Sequence, residues 1–342
     1  MGGRQLTGLP LDALRRHDDW SGVHAVVAGF GLHGAAAADN LLFIGARVTV
    51  LSETPVHGYD AERATLLTEL GAKITLGPGS TAELPEVCDV LVAGPQWREH
   101  EGLIAQAEAR GIPVWSELEL AWRLREAGAQ GRYAPWLVIA GEDGRTTVVD
   151  LVISIMNTVG LYAAVIGEGP RSAVETIMDP SMHDLVIVDA HARDLHFTHS
   201  MAPESTAIVF LPPRVGTEDP MVLDQGSAYE RVSNACIYNV EEPVQRELVE
   251  RAEVAEGARG IGFTLGMPSV GMVGMVEDIL VDRAFIPERS TSAAEICTLA
   301  DLNDPTPFEL GCALAAAALA RSVGVPQHAV RTGLINHFSD DV

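Results

Sequence analysis

Residues 141–147 read Gly-Glu-Asp-Gly-Arg-Thr-Thr, between an apolar run at 135–140 and a helical pattern over 148–158. Strand, glycine loop, basic residue, Thr-Thr and helix make a phosphate-binding loop in outline. In a working loop a lysine reaches the terminal phosphates and a Ser or Thr hydroxyl holds magnesium. Here Glu142 and Asp143 put two carboxylates where phosphates would sit, and Arg145 stands in for lysine. Its planar guanidinium keeps the charge but not the compact point-charge geometry. Phosphates beside carboxylates suffer like-charge repulsion unless a metal bridges them. Asp189, closing the apolar run 184–189, stands where a magnesium ligand belongs. Two uses stay open: a weak triphosphate site built on Gly141, Gly144, Arg145, Thr146, Thr147 and Asp189, or a relic loop with Thr146 as a helix cap.

A second glycine loop, Gly29-Phe30-Gly31-Leu32-His33-Gly34, follows the apolar run 24–28 and opens an Ala-rich helix reaching Leu42. A strand at 48–51 comes next, with Glu53 at its end. Strand, loop, helix and strand open a doubly wound sheet. Glycines at this place let backbone N–H groups approach a phosphate, and an acidic residue after the second strand accepts from a ribose or base. The same glycines also serve a tight turn that packs helix on sheet, so nucleotide binding and packing both stand as readings.

The elements that position these loops follow from periodicity. Strands are predicted at 73–76, 89–93 and 112–115, and helices at 60–70, 101–109 and 117–127. A linker lies at 128–133. Beyond it come strands at 184–189, 207–211, 236–239, 260–263 and about 279–286, with helices at 244–251, 307–321 and 327–335. The fold class is α/β: a Rossmann-like parallel-sheet domain over 1–130 and a P-loop-like α/β domain over 131–342.

Composition narrows the function. The 342 residues carry 23 Lys+Arg against 47 Asp+Glu, a net charge of −24. Such a surface repels a phosphate backbone, so nucleic acid is not an expected partner. No stretch is long and apolar enough for a membrane span and the N-terminus has no signal-like apolar core, which predicts a cytoplasmic protein. The four cysteines (Cys88, Cys236, Cys297 and Cys312) are far apart and read as buried hydrophobes. His183, His191, His196 and His199 fall near Asp184, Asp189 and Asp194, metal-ligand types whose spacing matches no helical site; solvated loop histidines are the plainer reading. Residues 267–275 read as a methionine-rich loop, flexible and open to contact use.

Several stretches together resemble the Mur ligases, most closely the D-glutamate-adding branch in its high-GC actinobacterial form. They are VVAGFG (26–31), VTV (48–50), GIPVW (111–115), ELELAW (117–122), the 141–147 loop, CIYNV (236–240), GFTLG (262–266), ILVDRAF (279–285) and ALAAAALAR (313–321). The resemblance spans about residues 20–335. It implies three domains, for a uridine nucleotide, for ATP with magnesium, and for closure over both. The chain carries counterparts of the first two, and the third is read as absent. It also implies uracil and ribose contacts near Glu53 and Thr54, and places His33 where the family often has serine, within reach of a phosphate.

The resemblance also exposes departures. The family loop resembles GTNGKTT. Its magnesium glutamate falls on Asp189. Its Asp-His-Leu-Asp stretch falls on Arg214, Val215, Gly216 and Thr217, and its carbamylated lysine on Gln225. Its adenine-contacting asparagine falls on Glu309, after Phe308, and another asparagine on Glu168. Metal sites need their ligand count. These changes predict a ligase fold without ligase chemistry: a pseudoenzyme that binds a UDP-sugar-like ligand and acts through a protein partner or a homodimer. The alternative is a divergent ATP- and magnesium-dependent amide ligase that forms an acyl-phosphate, working in peptidoglycan or specialised peptide metabolism.

Overall fold

The structure is a computed structural model that describes residues 10–97, 100–128, 131–169, 171–181, 183–212 and 215–340. Two units divide the chain. The first comprises residues 1–133 with 169–181 and 196–201; the second comprises 134–168, 182–195 and 202–342.

The first unit alternates strand and helix. β1 (His24–Ala28), α1 (Leu32–Phe43), β2 (Arg47–Ser52), α2 (Tyr59–Glu69) and β3 (Lys73–Leu76) come first, then β4 (Val90–Ala93), α3 (Gly102–Ala109), β5 (Val114–Ser116) and α4 (Glu117–Leu124). All neighbouring strands pair in parallel in the order β3-β2-β1-β4-β5. The runs AVVA and VLVA in β1 and β4 are wholly buried, as central parallel strands covered on both faces must be. Ser116 caps α4 by accepting from Glu119 N.

The second unit begins with β6 (Trp136–Ala140), α5 (Arg145–Thr158) and β7 (Ala163–Gly167). The chain then forms α6 (Ala173–Met178) in the first unit and returns for β8 (Leu185–Asp189). After α7 (Ala192–His196) come β9 (Ser205–Ile208), α8 (Pro220–Gly226), β10 (Ala235–Asn239), α9 (Pro243–Arg251), β11 (Arg259–Phe263), β12 (Met272–Val276), β13 (Ile279–Asp282) and β14 (Ala294–Thr298). Two helices, α10 (Pro307–Ser322) and α11 (Gln327–Asp340), close the chain. The sheet order is β14-β13-β12-β11-β10-β9-β6-β8-β7; its pairs are parallel from β7 through β12, and β13 and β14 add antiparallel pairs. Residues 313–320 of α10 are fully buried against this core. Their small side chains let the helix lie close to its neighbours.

The fold class is as the sequence indicates, an α/β chain built on mainly parallel sheets. Two local readings change. Residues 272–276 form β12, not loop, because Val273 and Met275 turn into the core, while Met267 stays exposed. α5 starts at Arg145 with Gly144 as its N-cap and no side-chain cap bond, so Thr146 is not the cap. The four histidines are divided, His196 and His199 in the first unit and His183 and His191 in the second. No metal-holding group of three His, Cys, Asp or Glu occurs among the described residues.

Candidate functional site

Both glycine loops leave the carboxyl end of a strand at which strand order reverses. β1 lies between β2 and β4, and β6 lies between β8 and β9. Such switch points are where open α/β sheets bind ligands.

In the second unit, Gly144 adopts φ +82° and starts α5. A Cβ there would lie 3.0 Å from Cys312 Sγ and 3.1 Å from the Phe210 ring, so only glycine fits both the backbone and the space. Phe210 also holds the loop directly: Glu142 N donates to its carbonyl at 2.7 Å, Asp143 forms a β-bridge to it, and its ring stacks on Phe308 at 5.1 Å. A loop amide that a phosphate would use is thereby engaged.

Arg145 is 8% exposed. Its Nε donates to Asp189 Oδ1 at 2.7 Å, Nη1 to the Gly141 carbonyl at 2.7 Å, and Nη2 to Glu168 Oε2 at 2.6 Å. Burial works against the guanidinium charge, but the bonds and charges of Asp189 and Glu168 outweigh it and raise the Arg145 pKa. Asp189 is 3% exposed. Burial raises its pKa, with Arg145 pulling the other way. The always-charged guanidinium at 2.7 Å holds the pair together as ions.

The side chains that would meet ATP and magnesium are engaged with one another. The one cation of the loop is spent on two carboxylates, and the candidate metal carboxylate is spent on that cation. Thr146, the candidate hydroxyl for magnesium, is exposed. Gln225 is 1% exposed on α8, and neither side-chain polar atom has a partner among the described residues. Glu309 closes a capping box with Thr306 at the start of α10. Arg214 lies outside the described residues, as do residues 1–9, 129–130 and 341–342 of the predicted domain spans.

In the first unit, Gly29 has φ +113° and Gly31 caps α1 at φ +121°. Gly34 packs so closely that a Cβ would sit 2.2 Å from the Gly29 carbonyl oxygen. His33 Nδ1 lies 2.5 Å from Glu117 Oε2, while Glu117 Oε1 accepts from Val174 N at 3.0 Å. Glu117 therefore orients His33 at the start of α1 and ties down α6. Glu53 is used locally. It accepts from Gly79 N at 2.7 Å, from Thr81 N at 2.9 Å and from the Thr81 hydroxyl. The Thr81 hydroxyl is the main cause of its lowered pKa, with the two backbone N–H groups adding to it. Thr54 is exposed in the bend after β2.

Two residues carry weight that sequence reasoning missed. Glu119 is fully buried and accepts from Arg123 Nε, His199 N, Ser200 N and the Ser200 hydroxyl. Its only local signal was Arg123 four residues on. Gln96, next to Gly29, had none.

No family model matches the chain. It is 39% identical over 320 residues to a UDP-N-acetylmuramoylalanine–D-glutamate ligase of Streptomyces avermitilis, covering 92% of this chain and 67% of the relative. It is 40% identical over 325 residues to the enzyme of the same name from Streptomyces coelicolor, with the same coverage. Among solved structures, the UDP-N-acetylmuramate:L-alanyl-gamma-D-glutamyl-meso-diaminopimelate ligase of Neisseria meningitidis aligns with a TM-score of 0.53 at 16% identity, over 91% of this chain and 97% of that one. A murein peptide ligase of Psychrobacter arcticus aligns at 0.50 and 14% identity, over 92% and 68%. At these identities the structures speak for the fold alone. The sequence relatives, matched over two thirds of their length, place the chain in the Mur ligase family.

Proposed function

We propose that this Mur ligase is a pseudoenzyme of peptidoglycan metabolism. Its first unit takes a UDP-sugar of the UDP-N-acetylmuramoylalanine class, and its second unit does not perform ATP-driven ligation. The role left to it is binding or regulation in the cytoplasm, with a protein partner or a second copy of the chain as the recipient of the signal.

One observation carries the reading: the Arg145 guanidinium is held by Asp189, Glu168 and the Gly141 carbonyl. A triphosphate could recruit it only by breaking a buried ion pair, and breaking such a pair by removing one partner costs about 3–5 kcal/mol. The nearby Glu142 and Asp143 oppose the incoming phosphates further.

A second reading is a divergent amide ligase. The 39–40% identity to curated ligases favours it, as does the retained positive charge at position 145. Calorimetric titration separates the two. The pseudoenzyme binds UDP-N-acetylmuramoylalanine and gives no Mg-ATP isotherm. An Mg-ATP Kd below ~100 micromolar, about −5.5 kcal/mol, together with phosphate release when D-glutamate is added, overturns it in favour of the ligase.

A further inference from the structure

Three hydrogen bonds converge on one carbonyl at the mouth of the first unit's crevice. Gly94 N (3.3 Å), Gln96 Nε2 (3.3 Å) and Trp97 Nε1 (2.9 Å) all donate to Ala28 O, the last carbonyl of β1. The turn after β4 is thereby drawn over the glycine loop. Ala28 pairs with Ala93 across the β1–β4 junction, so this turn crosses the switch point itself.

The Gln96 amide fills the space that glycine leaves open. A Cβ on Gly29 would lie 2.2 Å from Gln96 Nε2, and a Cβ on Gly94 would lie 2.5 Å from Gln96 Oε1. The amide therefore lies against both α-carbons, on the face of Gly29 that a phosphate would need. Trp97 anchors the turn: it is part-buried, packs on the first unit's core, and its ring edge stands 2.8 Å from where a Gly102 Cβ would be. Gln96 itself is exposed and, among the described residues, is held by one long hydrogen bond.

We infer that Gln96 is a built-in occupant of the pyrophosphate crevice, and that a uridine-diphosphate sugar binds only by displacing its amide from Gly29. This rests on the UDP-sugar reading above. A neutral amide suits the role. Leaving costs one weak hydrogen bond, and no buried charge is stranded. Trp97 stays in place while Gln96 swings, because the indole bond is shorter and the ring is packed.

Titration of the full chain, Gln96→Ala and Gln96→Glu with UDP-N-acetylmuramoylalanine and with uridine tests this, with thermal melts confirming that all three fold alike. Removing the occupant tightens UDP-sugar binding by about twofold, the equivalent of one weak hydrogen bond. A carboxylate in the same place weakens it by at least as much, and leaves uridine, which has no phosphate, unchanged. If Gln96→Ala binds as wild type does, or more weakly, Gln96 is no obstacle and the inference falls while the UDP-sugar reading stands. If no variant binds, both fall.

Discussion

The two glycine loops stand at equivalent places, each after the strand at which its sheet's order reverses and each opening a helix, yet they are filled differently. At Gly29 the filler is a neutral, exposed amide on one 3.3 Å hydrogen bond. In the 141–147 loop it is the buried Arg145 guanidinium, held by two carboxylates and the Gly141 carbonyl. The first filler can leave for a ligand at the cost of one weak bond. The second cannot leave without stranding Asp189, a carboxylate 3% exposed. The contrast supports the proposal that one motif is a site that opens and the other a structural part of its domain.

The largest effect that sharpens this contrast is on stability. Arg145→Ala leaves the buried Asp189 carboxylate uncompensated and destabilises the chain by about 3–5 kcal/mol in urea unfolding. Gln96→Ala changes stability by less than about 0.5 kcal/mol, as exposed substitutions do. Equal losses would erase the distinction between a plug and a pillar.

Glu168→Asn comes next. Its side chain is 66% exposed, so solvent screens the pair with Arg145 and the loss stays below about 1 kcal/mol. Asp189→Asn costs more than Glu168→Asn because it is buried. The reverse order would place the anchor of Arg145 at the surface.

A separate effect is on the alkaline side. Burial pushes the Cys88 thiol to about 11 and the Cys236, Cys297 and Cys312 thiols to about 12, from 9.0. A raised folded pKa means stability is fully present below pH 9 and is lost as pH rises through the window from 9 toward 12. Three of the four lie in the second unit, with Cys312 beside Gly144, so its melting responds more than the first unit's. Thiol reagents at pH 8 label none of the four in the native chain and all four in urea. Prompt native labelling of Cys312 would show that the second loop opens after all.

Much of this was legible locally. The two strand–loop–helix units, the odd chemistry of residues 141–147 and the burial of the cysteines all follow from short windows of sequence. β7 and β12 were not legible. Ala163–Gly167 alternates half-buried positions at a sheet edge, and Met272–Val276 looks like a loop until Val273 and Met275 meet the core. Glu53 shows the same limit from the other side. Its place after β2 is local, but its bonds to Gly79 and Thr81 come from a turn more than twenty residues away.

By itself the sequence determined the fold class and the positions of both loops, because apolar periodicity and glycine placement act over a few residues and mean the same in any context. Only the tertiary structure decided what fills each loop. Arg145 meets Asp189 44 residues away and Gln96 reaches Ala28 across 68, and neither partnership leaves a local mark. Segments 169–181 and 196–201 join the first unit for the same reason. Glu117 and Glu119 on α4 reach them through Val174, His199 and Ser200, contacts 57 to 81 residues apart that exist only once the chain has folded back.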